Sequence, residues 1–297
     1  MNNHIYIEFI QIKSLHGKIT HYFHFVYAVL LPIILRYIEL SKTNKKITFI
    51  IDDNMGPLFR ILLQLPIDIK LKPFFNLNND IKINKEYLLP LDIHPTRRNK
   101  NLLLIKEKLA DFLTYDKFTS INKWIKREIT LNNLTICSIK YDIVIIERKI
   151  DISYQSDLIV IKNNKNTIKR SKIVGLERRS IINHQEFVES IKKYFPKKNI
   201  LNISLEYLPL FEQYKLFNNT KIIIAQHGAA LANIVFMKSN SLIIEIMTQD
   251  LLNRGSDWFV PISKICKINH LQYIVKDYFV NINTEDFKNF MIKNNVL

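Results

Sequence analysis

The feature that most constrains this chain is a set of short, β-branched apolar runs separated by helix-length segments. ITFII at 47–51, YDIVIIERK at 141–149 with charges at its end, KIIIA at 221–225 and SLIIEI at 241–246 are each short. Such runs are apolar on both faces, as strands buried on both sides of a parallel sheet are. Parallel neighbours cannot be joined by a tight hairpin and need a long crossover, usually a helix. The intervening segments fit that need. Phe25, Val29, Ile33 and Tyr37 fall near i, i+4 spacing in a helical pattern over 21–40. LFRILLQL at 58–65 reads as the next helix, and 101–133 reads helical with Trp124 and Ile125 facing inward. Further helices are predicted from Asn183, over 209–218, over 257–266 and from Thr284, where Glu285 and Asp286 mark the first turn. An opening strand HIYIEFIQI and short strands at 200–203 and 271–275 complete the pattern. The alternation predicts an α/β chain with open parallel sheets and helices on both faces. Two such runs suggest two Rossmann-like domains, 1–135 and 136–297, with the last helix placed to pack back on the first.

The charge invites a different reading. The 297 residues carry 43 Lys+Arg against 27 Asp+Glu, a net +16. A basic nucleic-acid-binding protein is the class such a balance suggests. However, Lys outnumbers Arg about three to one, and Ile and Asn are over-used, which is the pattern of A/T-rich codons. Most of the charge is therefore read as compositional, and no specific nucleic-acid partner is expected. A hydrophobic content of 47% excludes a disordered chain. Cys137 and Cys266 stand far apart with no CxxC pattern, which argues against a structural zinc site or a disulfide scaffold. MNNHIYIEFI lacks a signal-peptide pattern, and the longest apolar stretch, 25–35, falls short of the ~20 residues that span a bilayer. A cytoplasmic location is the expectation.

Ligands of open α/β sheets sit at the carboxyl ends of the strands. Several polar residues fall there in the second half. Arg148 follows the run VIIE, and Arg178 and Arg179 precede the helix near Asn183. His227-Gly228-Ala229-Ala230 follows KIIIA and opens a helix, and Glu245 lies near the end of SLIIEI. Small residues at a helix start let backbone N–H groups approach a phosphate, and the helix dipole favours the anion. With arginines nearby this becomes a candidate diphosphate site. Glu245 could accept hydrogen bonds from ribose hydroxyls, and an acid inside an apolar strand needs a partner in any case. Plainer roles stand beside these: Asn183 as a helix cap, Asp52-Asp53 as a turn, and 162–172 as a solvated lysine-rich loop. Neither GxGxxG, GxxxxGK[ST] nor DxD is present.

The segment ERRSIINHQEF followed by LEYLPLFEQYKLFNNTKIIIAQHGAALANIVFMKSNSLIIEI resembles the family 61 glycosyltransferases. Arg179, Ile181, Asn183 and Glu186 match that family's first motif, and Glu206, Glu212 and Gln213 its middle one. His227, Gly228, Ala229, Leu231 and Asn233 match its H-G-A-x-L-x-N, and Glu245 its final strand. Arg148 aligns with an Arg at the preceding strand end. HYFHFVYAVLLPI is similar to the family's N-Y/F-x-H helix and places His24 on the family histidine. His184 departs from a frequent Glu, His21 from Asn, and Phe25 from the Asp of many members.

The resemblance implies a GT-B fold, with two Rossmann-like domains facing a central cleft. It implies an inverting, metal-independent transfer from a UDP-sugar to a glycan or glycoprotein hydroxyl. No cofactor is implied, and UDP is the product. Arg148, Arg179, His227, Gly228, Ala229, Asn233 and Glu245 would hold the donor on the second domain. Asn183, Glu206, Glu212 and Gln213 would support them. His24 would be the base on the acceptor side. The departure at Phe25 leaves open a relative that binds nucleotide or glycan without transfer.

Overall fold

A computed structural model of the chain describes residues 4–10, 22–52, 58–72, 83–87, 112–132, 140–148, 181–205, 208–253, 255, 257–276 and 280–297. The chain divides into two compact units, Met1–Ile136 with Pro209–Phe211, and Cys137–Leu208 with Glu212–Leu297. Among the described residues, no helix is long and apolar enough to cross a membrane.

The first unit is built on four strands: β1 (His4–Ile10), β2 (Lys46–Ile51), β3 (Asp68–Leu71) and β4 (Ile83–Tyr87). They lie in the order β3-β2-β1-β4, and every pair is parallel. Helix α1 (Tyr22–Phe25) runs through a wholly buried π-helical turn, Val26–Leu30, into α2 (Leu31–Leu40). The Leu31 N–H reaches back to the Val26 carbonyl, which closes the wider turn. Helix α3 (Phe59–Leu62) is shorter than LFRILLQL predicts. The chain leaves the helix at Leu63, which is exposed, and Pro66 follows.

Helix α4 (Tyr115–Leu131) forms as its periodicity predicts. Thr114 caps it by accepting from the Lys117 N–H, and Phe118, Ile121, Trp124, Ile125 and Ile129 form its buried stripe. It packs on α2, with Tyr37 edge-on to Trp124 at 5.8 Å. The residues of 101–111 lie outside those described. A polar ladder crosses this sheet at Tyr6, Thr48 and Asp68, which share one register. There Thr48 donates to Asp68 at 2.6 Å and meets His4 Nε2 at 2.7 Å. Buried Glu8 is ion-paired with Lys72.

The second unit holds β5 (Tyr141–Ile146), β6 (Ile200–Ile203), β7 (Thr220–Gln226), β8 (Leu242–Thr248) and β9 (Asn269–Val275), all parallel in the order β6-β5-β7-β8-β9. Helices α5 (His184–Tyr194), α6 (Leu210–Asn218), α7 (Gln249–Asn253), α8 (Phe259–Ile265) and α9 (Thr284–Lys293) accompany them. Strand alternation divides the core. Ile143, Ile145, Ile224, Ile244 and Ile246 pack with Phe187, Val188 and Ile191 of α5 and with Phe287 and Met291 of α9. On the other face, α8 packs on β9 and on a 3₁₀ helix, Ala229–Phe236.

Two α/β units with parallel sheets agree with the expected fold class. Two local features tie the ends of the second unit together. The final helix buries Phe287 and Met291 in the second unit's own core, because its apolar stripe meets Phe187 and Tyr273 there. Its cap is Asn283, whose side chain accepts from the N–H groups of Glu285 and Asp286. Asn183 does not cap α5 through its side chain. Instead its amide brackets Ile282, donating to the Ile282 carbonyl at 2.8 Å and accepting from the Ile282 N–H at 2.9 Å.

Candidate functional site

The chain winds from β5 outward to β6, then returns across β5 to β7. The strand order therefore reverses between β5 and β7, and a crevice opens at the carboxyl ends of such a pair. Arg148 stands just past β5. His227 and Gly228 stand just past β7. The structure brings them together: Arg148 Nη1 donates to the His227 carbonyl at 3.4 Å. A Cβ at position 228 would lie 3.0 Å from Arg148 Nη1 and 3.4 Å from its Cζ. Glycine is thus needed for close approach to the guanidinium rather than for backbone strain. Ala229 next to it is exposed and opens the 3₁₀ helix, so the first N–H groups of that turn lie beside a fixed cation.

An α-helix after Gly228 was the expectation. The residues 231–236 are buried without interruption, and such a segment has no solvent face to set a 3.6-residue period. The tighter 3₁₀ turn fits that all-round burial.

Behind this edge lies a buried polar cluster. His227 Nδ1 meets Glu245 Oε1 at 2.6 Å, and His270 Nε2 and Gln272 Nε2 meet Glu245 Oε2 at 3.0 and 2.8 Å. Ser263 Oγ meets His270 Nδ1 at 2.8 Å. The register explains the convergence. Glu245 of β8 lies between Ala225 of β7 and Gln272 of β9, and His270 is two residues before Gln272 on the same face. The small Ala225 leaves room for the His227 ring, which rests against Phe259 at 5.4 Å.

Burial alone would push the Glu245 carboxyl up. The hydrogen bonds from His227 and His270, and the attraction of their rings, outweigh it and bring the group down to about 2. Glu245 is therefore a carboxylate, which only accepts hydrogen bonds, so His227 donates from Nδ1 and His270 from Nε2. The His227 tautomer is thereby set, with Nε2 as its acceptor nitrogen.

The predicted site residues sort as follows. Arg148, His227, Gly228 and Glu245 converge. Glu245 does not face a ribose as expected: its side chain has no exposure, and both oxygens are taken. It positions His227. Asn233, expected on the donor, is also fully buried and donates to Gln213 Oε1 at 2.8 Å, while Gln213 Nε2 donates to the Leu208 carbonyl. That pair ties the 3₁₀ helix to α6. Glu212 is half exposed and pairs with Lys215. His24 lies on α1. Arg178, Arg179 and Glu206 fall outside the described residues.

Sequence reading missed His270, Gln272 and Ser263. The signal was available: a buried acid on one strand calls for donors on the next, and HLQ supplies two with strand spacing.

A reversal of strand order in an open parallel sheet is where α/β folds place their ligands, and here it brings together a guanidinium, a helix start and the backbone of a carboxylate-anchored histidine. The family model described as Glycosyltransferase 61 matches residues 18–244, and the chain belongs to that family. The match covers His24, Arg148 and His227 and ends one residue before Glu245. No curated protein sequence matches the chain.

Proposed function

We propose that the protein is an inverting glycosyltransferase that moves a sugar from a UDP-linked donor to a hydroxyl of a glycan or glycoprotein. Family membership supports glycosyl transfer. The observation that carries the donor assignment is the convergence of Arg148, Gly228 and the Glu245-anchored His227 at the β5/β7 reversal.

In this reading the two sheets are the halves of a GT-B enzyme, with the donor on the second unit and the acceptor on the first. A single displacement inverts the anomeric carbon. His24 takes the acceptor hydroxyl proton while UDP departs through an oxocarbenium-like state. The leaving diphosphate gains negative charge. Arg148, Arg179 and the N–H groups after Gly228 meet that charge with fixed positive ends, without a metal. Glu245 holds the His227 ring in one tautomer, whose Nε2 accepts a hydrogen bond from a hydroxyl of the donor. No cofactor enters the scheme.

The test is a thermal-shift screen against nucleoside diphosphates and nucleotide sugars, followed by calorimetry. UDP should stabilise the protein, and Arg148→Ala and His227→Ala should each weaken UDP binding. Unchanged affinity in both variants would remove the donor-site assignment. His24→Ala should lower turnover with little change in UDP affinity, and full activity in that variant would remove His24 as the base. A second reading, binding without transfer, rests on Phe25 standing where many members carry Asp. Hydrolysis of UDP-sugars by the wild-type protein separates the two readings.

A further inference from the structure

Gln226 is the last residue of β7, directly before His227 and Gly228. It is 3% exposed, and its Oε1 is buried without a hydrogen-bond partner among the described residues. Its neighbours make this unusual. Ile222 and Ile224 precede it on the same strand face, and Ile246 of β8 sits beside it in register. The column is otherwise apolar, and no described residue pairs with the amide oxygen at its end. An unmatched buried amide destabilises a protein, whereas an apolar side chain of the same shape does not. Such a group calls for an explanation beyond packing.

The position supplies one. Gln226 lies at the carboxyl edge where the strand order reverses, beside the Arg148–Gly228 cradle. A second unmatched atom marks the same edge of the sheet. His184, the first residue of α5, joins Asn202 through Nε2, and Asn202 reaches Glu147 just past β5, while His184 Nδ1 is buried without a partner among the described residues. A primary amide presents one acceptor and two donors on a planar edge. The terminal torsion of Gln is soft, so either end can turn to a ligand.

We propose that Gln226 is a specificity-determining residue whose amide hydrogen-bonds the nucleoside part of the bound donor. This rests on the reading of the β5/β7 reversal as the UDP-sugar site. Two hydrogens of a uridine nucleotide offer the required chemistry, the imide N–H of the base and that of the ribose 2′-hydroxyl.

The experiment compares wild type with Gln226→Met, and with Gln226→Leu as a second apolar variant. Urea unfolding without nucleotide and calorimetry with UDP are the two readouts. The unliganded variants should be at least as stable as wild type, while UDP binds about tenfold or more weakly. N3-methyl-UDP and 2′-deoxy-UDP identify the partner. The analogue lacking it should bind wild type as weakly as UDP binds the variants, and should lose nothing further in them. Equal UDP affinity in wild type and variants overturns the proposal. Loss of stability or of folding in both variants also overturns it, because the amide would then be structural. If wild type binds no nucleoside diphosphate, the donor-site reading itself fails and takes this assignment with it.

Discussion

Replacing Glu245 with Gln removes one buried charge and keeps the side chain's size. The carboxyl ordinarily titrates near 4.5 and in the folded protein is brought down to about 2. Each tenfold gain in acidity is ~1.4 kcal/mol, so the ionised group contributes about 3 kcal/mol to stability at neutral pH. The folded value is depressed, so this stability is fully present above 4.5 and is lost as pH falls toward 2. At pH 3 about half of it remains. The side chain has no exposure, so solvent screening does not reduce the figure. Urea unfolding at pH 7, 5 and 3 is the assay. Glu245→Gln should be less stable by about 3 kcal/mol at pH 7 and by about half that at pH 3. Every other carboxyl titrates in both proteins and cancels in the difference. A gap that is absent at pH 7, or that does not narrow on acidification, would refute the account of Glu245 as a carboxylate held by two imidazoles.

Two further outcomes follow from the geometry. Gly228→Ala places a methyl 3.0 Å from Arg148 Nη1, and the guanidinium, at the end of a flexible side chain, swings aside. Urea unfolding should stay within ~0.5 kcal/mol of wild type while UDP affinity by calorimetry falls about tenfold; unaltered affinity would show that Arg148 does not meet the ligand. Asn183→Ala removes both hydrogen bonds to Ile282, which lies 99 residues away in the chain. It should lower stability by about 2 kcal/mol and speed hydrogen exchange at the Ile282 amide; unchanged protection there would exclude the bracket.

The strands were legible where their physics is simplest. ITFII, YDIVII, KIIIA and SLIIEI are buried over most of their length, so their apolar runs are short and continuous. β4, INKEY, was hidden because Asn84 and Lys85 are exposed, so its pattern is that of a loop. β9 was seen only from Leu271, since its first residues are polar, and that boundary error concealed His270 and Gln272. His227 and Arg148 could be placed from strand ends alone. Glu245 was found for the right reason and given the wrong contact. A buried acid announces that it needs partners, but one strand read in isolation does not say whether those partners are a ligand or the next strand. Asn233 shows the same limit, since its helix position is visible in sequence and the neighbour that takes its amide is not.

The placement of the Glu245 partners also bears on how the second unit assembles. Two of the three donors to this carboxylate come from β9, and β9 reaches β8 only by a parallel crossover that carries α7 and α8. Non-local parallel pairings form slowly, because loop-closure entropy is lost before contacts are gained. A folding chain that has joined β8 to β7 but not β9 to β8 has a carboxyl in an apolar layer with His227 alone. Burial then dominates, and the group keeps its proton or the layer stays wet. Docking of the edge strand therefore completes the sheet and ionises Glu245 in one event. His227 acquires its fixed tautomer only when the edge strand is in place, so a sheet that lacks it leaves the ring unset.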